Sequence, residues 1–177
     1  MNNFYINMIG IILILLFAFI TSIDILINES NNIFSRLFAL TIIILIVIIA
    51  PDRNVYLPFL GKTAFPSHLI GNETHPHGSN ESITLEVKYP NNTKIIYWGA
   101  KSTDKNIIKL SPEEAYGDYS NSGIALVHNN KVKLSYFCPD KYAVKPFNTD
   151  IKRHIHYRAL LPGSAMLEEV KTAYINC

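Results

Sequence analysis

The stretch that decides the fold of the C-terminal half is DIKRHIHYRALLPGSAM, residues 150–166. It places His154 and His156 two positions apart and follows them with a Pro-Gly pair typical of a turn. Because side chains two positions apart in a β-strand point to the same face, a strand here directs both imidazoles to one side. This arrangement suits two nitrogen ligands of one metal ion. The alternative is that both are ordinary, half-exposed strand histidines.

Residues 81–177 have the pattern of an all-β domain, with short strands separated by turn residues. The Asn-Asn pair at 129–130 separates two such strands and favours a hairpin, since Asn tolerates positive φ. We therefore expect a Greek-key β-sandwich over 81–177, preceded by an extended lead-in and loop over 52–80. A short helical turn is expected over 111–116. The expected strands are 82–89, 94–100, 123–128, 131–137, one that begins at His154, and 168–175.

The first fifty residues hold two apolar runs. No charge precedes Asp24, so the first run can cross a bilayer as a helix. A cleaved signal peptide is the alternative, although the N-terminus lacks its basic segment. The second run reaches spanning length only if Arg36 snorkels to the interface, and a buried or interfacial helix is the alternative. We expect an integral membrane protein with a transmembrane helical hairpin over 1–51, its two helices at about 7–27 and 33–50.

A hairpin leaves the N-terminus and the C-terminal domain on the same side of the membrane. The basic residues that report the side are Arg36, Arg53 and Lys62, and they favour a cytoplasmic domain only slightly. The net charge of +2 gives no electrostatic case for binding nucleic acid. Two cysteines are too few for a disulfide scaffold.

Glycosylation sequons of the form Asn-x-Ser/Thr matter only if the domain is lumenal. Chance matches are expected in a chain this rich in Asn. The sequons begin at Asn28, Asn72, Asn80 and Asn91.

The segment RHIHYRALLPGSAMLEEVKT (153–172) resembles the C-terminal signature of the intradiol ring-cleavage dioxygenases, which cleave catechols. Upstream, CPDKYAVKP (138–146) is similar to the Pro-x-x-Tyr segment of that family. YWGA (97–100) is similar to its buried Trp strand, and YGDYSNSGIALVHNNK (116–131) to its Gly-x-Tyr-Ser segment. The resemblance covers roughly residues 95–172 and keeps the order Tyr, Tyr, His-x-His.

The resemblance implies a single non-haem ferric ion, Fe(III), bound by Tyr119, Tyr142, His154 and His156, with Tyr116 as the alternative to Tyr119. These residue types suit the ion, because a phenolate is a hard anionic donor whose proton leaves when the metal binds. In that family the iron acts as a Lewis acid towards a catechol and O₂. The resemblance thus implies a membrane-anchored protein that binds or oxidatively cleaves a catechol-type aromatic diol.

The chain departs from the family around the ligands. The family usually has Arg-Pro-x-His, but Ile151 stands three positions before His154. Val170 or Lys171 falls where the family has a Gln. The alternative function is a non-catalytic structural or interaction membrane protein that keeps the fold as a scaffold. The composition and the helical hairpin also resemble those of membrane proteins of large DNA viruses, which favours a structural role.

Overall fold

The computed structural model describes residues 3–28, 32–57, 60–101, 112–144 and 149–177. The chain forms two compact units, Met1–Gly61 and Lys62–Cys177. The first unit is helical, and the second is built mainly of antiparallel strands. Helix and strand contents are roughly equal over the described residues, so the predicted all-β class overstates the strands, because the two apolar runs form long helices.

The first unit contains the helices α1 (Asn3–Ile27) and α2 (Ile33–Ile49), which pack against each other. The segment Ile6–Ile27 of α1 has 22 residues and a mean hydropathy of 2.7, so it is long and apolar enough to cross a membrane. At about 1.5 Å per residue it extends about 33 Å, against about 30 Å for a hydrocarbon core. The 17 residues of α2 extend only about 25 Å. By length and composition, the described helices therefore include one that could span a membrane and a shorter apolar one.

The polar groups near the link between these helices fix their ends. The side chain of Asn32 caps α2, its Oδ1 accepting a hydrogen bond from the amide nitrogen of Ser35 at 2.8 Å. The guanidinium of Arg36 donates to the carbonyl oxygen of Asn28 at 3.0 Å, so this cation satisfies a group at the C-terminal end of α1. A single helical turn, α3 (Arg53–Tyr56), follows α2.

The described part of the second unit contains ten strands, one short α-helix and a 3-10 turn over Ser67–Leu69. A predicted strand is present at each expected position, with ends that differ by up to three residues. The predicted helical turn is α4 (Pro112–Tyr116), while Ser111 lies outside the described residues. The strands are β1 (Thr63–Ala64), β2 (Glu81–Glu86), β3 (Lys94–Gly99), β4 (Ser122–Leu126), β5 (Lys131–Tyr136), β6 (Tyr142–Val144), β7 (Thr149–Ile151), β8 (His154–Leu160), β9 (Met166–Leu167) and β10 (Lys171–Tyr174).

These strands pair antiparallel in three sheets. The largest has the order β1-β9-β8-β3-β4, with β10 also paired to β8. The strands β2 and β5 form a second sheet, and β6 and β7 form a third. The chain turns between β4 and β5 at Asn129 and Asn130, whose φ angles of 50° and 60° confirm the predicted turn. One pair, His128 with Lys131, closes this turn, and beyond it the two strands separate into different sheets. The short strand β1 lies within the segment expected to be a lead-in and joins the largest sheet through β9.

The main core of this unit is shared by the first two sheets. Fully buried Ile95 and Ile155 come from the largest sheet and Leu134 from the second. Tyr97 lies between them and donates its hydroxyl proton to the carbonyl oxygen of Ser135 at 2.8 Å. Two antiparallel sheets with a common core are therefore established, and the Greek-key sandwich topology stays a prediction.

A disulfide joins Cys138, after β5, to Cys177, after β10, with 5.9 Å between their Cα atoms. Both cysteines of the chain are used in it. The cysteine count did not predict this bond, because 39 positions separate the two residues and only the folded sheet brings them together.

Candidate metal centre

Strand β8 runs between β3 and β10 and carries the His-x-His run at its beginning. His154 and His156 lie on one face, as the two-residue spacing predicts, and their Nε2 atoms are 3.1 Å apart. The two rings are tilted nearly perpendicular to each other, with centroids 4.6 Å apart. The strand therefore directs two nitrogen atoms to one point.

Two tyrosines complete the cluster from other elements. Tyr142, the first residue of β6, places its hydroxyl oxygen 3.2 Å from Nε2 of His154. Tyr116, the last residue of α4, places its hydroxyl oxygen 2.7 Å from that of Tyr142. We refer to Tyr116, Tyr142, His154 and His156 as the Tyr–His cluster. Its four polar atoms form an unbroken series of contacts.

Tyr119, the first choice on the resemblance, lies differently from Tyr116. Its side chain is 53% exposed, and its ring stacks on that of Tyr116 with centroids 5.7 Å apart. Gly117 and Tyr119 both have positive φ, 54° and 56°, so the chain turns sharply after α4. This turn leaves Tyr116 pointing inward. The structure thus brings together the alternative tyrosine with Tyr142, His154 and His156.

Hydrogen bonds on the far side of each imidazole hold the ring in place. Nδ1 of His154 is 2.6 Å from the carbonyl oxygen of Lys152, and because a carbonyl only accepts, Nδ1 carries the proton. The Nε2 atom of His154 therefore presents a lone pair to the cluster. Nδ1 of His156 is 3.0 Å from the hydroxyl oxygen of Thr172 on β10. Metal-bound histidines are oriented in this way by partners of their other ring nitrogen.

Protons alone cannot satisfy every contact in the cluster. The single lone pair on Nε2 of His154 faces two neighbours, the hydroxyl of Tyr142 and Nε2 of His156. It can accept a hydrogen bond from only one of them. A cation at the centre of the cluster would remove this conflict, because all four atoms could then direct a lone pair towards it.

The distances within the cluster also suit a common metal ion. Two ligand atoms about 2.1 Å from one ion, at an angle near 90°, lie about 3 Å apart. The three contacts measure 2.7, 3.2 and 3.1 Å. These three distances between neighbouring atoms are compatible with ligands of a single ion.

Burial makes the cluster a weakly hydrated environment. Tyr116, Tyr142 and His154 are 8, 4 and 5% exposed, and His156 is partly exposed. Burial raises the pKa of Tyr116 far above its ordinary value, and the neighbouring Tyr142 raises it further. Burial also lowers the pKa of His154, against the opposing effect of its bond to Lys152. Without a cation, both groups therefore stay neutral.

Two residues near His156 were missed by the sequence analysis. The cross-strand register sets Trp98 of β3 and Thr172 of β10 directly opposite His156. The Trp98 ring lies 5.6 Å from the imidazole, centroid to centroid. Both residues could be found only from the register of β8 with β3 and β10. The sequence alone does not show which strands pair with β8.

The basic residue next to the cluster points elsewhere. The guanidinium of Arg153 donates to Sγ of Cys138 at 3.3 Å and to the carbonyl oxygen of Cys177. Arg153 therefore supports the disulfide and the chain end. It does not take the place of the arginine that the resemblance would lead one to expect before the first histidine.

Within the described ranges, no three His, Cys, Asp or Glu side chains are grouped as a metal site would require, so the tyrosines would have to supply the remaining ligands. The chain matches no protein-family model, no curated protein and no solved structure.

Proposed function

We propose that the second unit is an intradiol-dioxygenase-like β-sandwich domain that binds one ferric ion through Tyr116, Tyr142, His154 and His156. The observation that carries the proposal is the chain of three contacts, 2.7, 3.2 and 3.1 Å, among two phenol oxygens and two Nε2 atoms. Tyrosine and histidine are the residue types that the resemblance to the intradiol dioxygenases implies. The order of the four residues along the chain also agrees with that family.

In this proposal, different residues orient the ligands and supply negative charge to the ion. The carbonyl of Lys152 fixes the tautomer of His154, and Thr172 orients His156. The phenols of Tyr116 and Tyr142 would supply negative charge after losing their protons to solvent on metal binding. A ferric ion held there would supply Lewis acidity towards a catechol-type aromatic diol that reacts with O₂. The diol would approach on the side of the partly exposed His156, whose ring lies 5.6 Å from that of Trp98.

The first unit would attach this domain to a lipid bilayer. In the proposal both helices cross the membrane, so that the N-terminus and the domain lie on the same side. Support comes from the large apolar side chains of α1 and α2 that remain exposed, among them Phe17, Phe34 and Phe38 at 71, 79 and 66%. In water such a surface would drive association, whereas lipid would cover it.

The metal proposal is tested by purifying the full chain in detergent and measuring its iron content and visible absorption. We expect about one iron per chain and a charge-transfer colour from tyrosinate bound to Fe(III). Tyr142→Phe and His154→Ala should each lose the colour and most of the iron. The matched control is Tyr174→Phe, which removes only a hydroxyl. Tyr174 is 67% exposed, lies opposite His154 in the pairing of β10 with β8, and has its ring 6.1 Å from that of His154.

The single tryptophan provides an independent readout. Trp98 lies beside His156, so its fluorescence should be quenched as Fe(III) is titrated into the metal-free protein. A folded protein that neither binds iron nor changes colour, and that is indifferent to both substitutions, would contradict the proposal.

The burial of the cluster favours a second candidate, a structural or interaction protein of a membrane that does not turn over a substrate. With three of its four side chains at most 8% exposed, the cluster could hold an ion, or no ion, purely as part of the fold. Oxygen uptake by the iron-loaded protein with catechol separates the candidates. Uptake that is lost in Tyr142→Phe supports the dioxygenase-like function, and an inert but iron-bound protein supports the structural one.

A further inference from the structure

The disulfide carries information about the compartment of the second unit. Disulfides persist in oxidising environments and are rare where thiols are kept reduced. The bond between Cys138 and Cys177 joins two distant parts of the sheet unit, and it uses every cysteine in the chain. A domain cross-linked by this disulfide is suited to the lumen of the secretory pathway or to the cell exterior.

Two sequons of the same unit are open to solvent. In Asn72-Glu73-Thr74 all three residues are exposed. In the sequon that begins at Asn80, the asparagine is exposed just before β2. Both asparagines therefore have room for a bulky, hydrophilic group.

The third sequon is used by the fold. Oδ1 of Asn91 accepts a hydrogen bond from the amide nitrogen of Asn129 at 2.8 Å, which ties it to the turn between β4 and β5. The hydroxyl-bearing residue of that sequon, Thr93, is completely buried. This contrast separates Asn91 from the two open sites.

We propose that the second unit lies on the oxidising, lumenal side of the membrane and carries N-linked oligosaccharides on Asn72 and Asn80. The disulfide and the exposed sequons are independent observations that select the same side. The opposing signal, Arg53 and Lys62 after α2 against Arg36 before it, amounts to a difference of one basic residue. The inference does not depend on the metal proposal and uses only the membrane hairpin.

The test is translation of the full chain with endoplasmic-reticulum microsomes, followed by endoglycosidase treatment. We expect two glycosylation steps on a gel, both removed by the enzyme. Asn72→Gln and Asn80→Gln should each remove one step, and the double variant should show none. Thr74→Ser is the matched control, because it keeps the sequon and should keep the step.

The sequon at Asn28 tests the opposite orientation in the membrane, because Asn28 lies in the link between the two helices. In a hairpin, that link and the second unit are on opposite sides of the membrane, so Asn28→Gln should change nothing. A glycan that disappears in Asn28→Gln, a glycan that persists in the double variant, or the absence of any glycan would overturn the proposal.

The thiols give a separate measurement on the same membranes. After denaturation without reductant, Cys138 and Cys177 should resist a maleimide reagent, and two additions should follow reduction. Immediate labelling of both thiols would overturn the assignment of the domain to an oxidising compartment.

Discussion

Tyr97 and Tyr142 are both almost completely buried tyrosines of the same unit, 1 and 4% exposed, yet their hydroxyl groups have different surroundings. Tyr97 reaches between two sheets to one backbone carbonyl, that of Ser135. Tyr142 meets a second phenol and an imidazole, which themselves contact further polar groups. A buried hydroxyl with one acceptor is explained by packing. In the Tyr–His cluster the single lone pair on Nε2 of His154 faces two neighbours, so hydrogen bonds cannot satisfy every contact. Convergence therefore distinguishes a candidate site from a core, and burial does not.

Breaking the Tyr97 region should have the largest effect on stability. A Cβ at Gly123 would collide with the hydroxyl of Tyr97 and the carbonyl oxygen of Thr74. We expect Gly123→Ala to lower the free energy of unfolding by about 1–3 kcal/mol, or more if the sheets cannot adjust. Chemical denaturation followed by Trp98 fluorescence measures this. Gly71→Ala is the control and should change stability little, since no atom lies within 4 Å of its added Cβ.

The same comparison predicts that Gly123→Ala leaves iron binding by the folded fraction unchanged. If Gly123→Ala weakened iron binding by the folded fraction as well as lowering the free energy of unfolding, the core around Tyr97 and the Tyr–His cluster would be coupled.

Removing the hydroxyl of Thr172 should have the opposite effect to Gly123→Ala: it should weaken iron binding and leave stability nearly unchanged. Thr172→Val removes the hydroxyl that contacts Nδ1 of His156 but keeps the size of the side chain. We expect about 10–100-fold weaker iron binding with a small change in stability. Thr172→Ser keeps the hydroxyl and should bind nearly as well as the unaltered chain. Titration of the metal-free proteins with Fe(III) decides, and identical affinities for the Val and Ser variants would remove Thr172 from the site.

Alkaline pH should act on Tyr97 through its ionisation. Burial raises its pKa from 10.0 to about 12, so above pH 10 the folded chain keeps a proton that the unfolded chain loses. The contribution of Tyr97 to stability is thus present below pH 10 and is lost as the pH rises towards 12. Unfolding measured from about pH 9 to about pH 11 should show a loss of up to about 1.4 kcal/mol per unit above pH 10. Tyr97→Phe should show a shallower dependence, and an unchanged slope would contradict the assignment.

The smallest effect is expected at Tyr119. Because its side chain is half exposed, Tyr119→Phe should change stability by less than about 0.5 kcal/mol and should leave the iron colour intact. Tyr116→Phe should abolish that colour, since its hydroxyl is the one in contact with Tyr142. The opposite pattern would restore Tyr119 as the ligand.

Much of the fold could be predicted from local patterns. The alternation in β2, the Asn-Asn turn and the face shared by His154 and His156 follow from strand periodicity and from the tolerance of Asn for positive φ. Local patterns could not choose between Tyr116 and Tyr119, because the choice depends on how the chain turns at Gly117 after α4. The short strand β1 carries too few residues to show a period at all.

Contacts between distant segments were beyond the sequence. Thr172 faces His156 only because β10 pairs with β8, and Cys138 meets Cys177 only after the sheet has formed. Each depends on register across many residues, for which one sequence carries no direct signal.

The disulfide also determines how the Tyr–His cluster can open. The bond closes a covalent loop from Cys138 to Cys177, and Tyr142, His154, His156 and Thr172 all lie inside it. Tyr116 lies outside the loop, on a helix of five residues. Local unfolding begins where few contacts hold a segment, so we expect this short helix outside the covalent loop to open before the strands inside it. The time for which a bound ion stays in place would then follow the opening of that one short helix, even while the rest of the domain is folded.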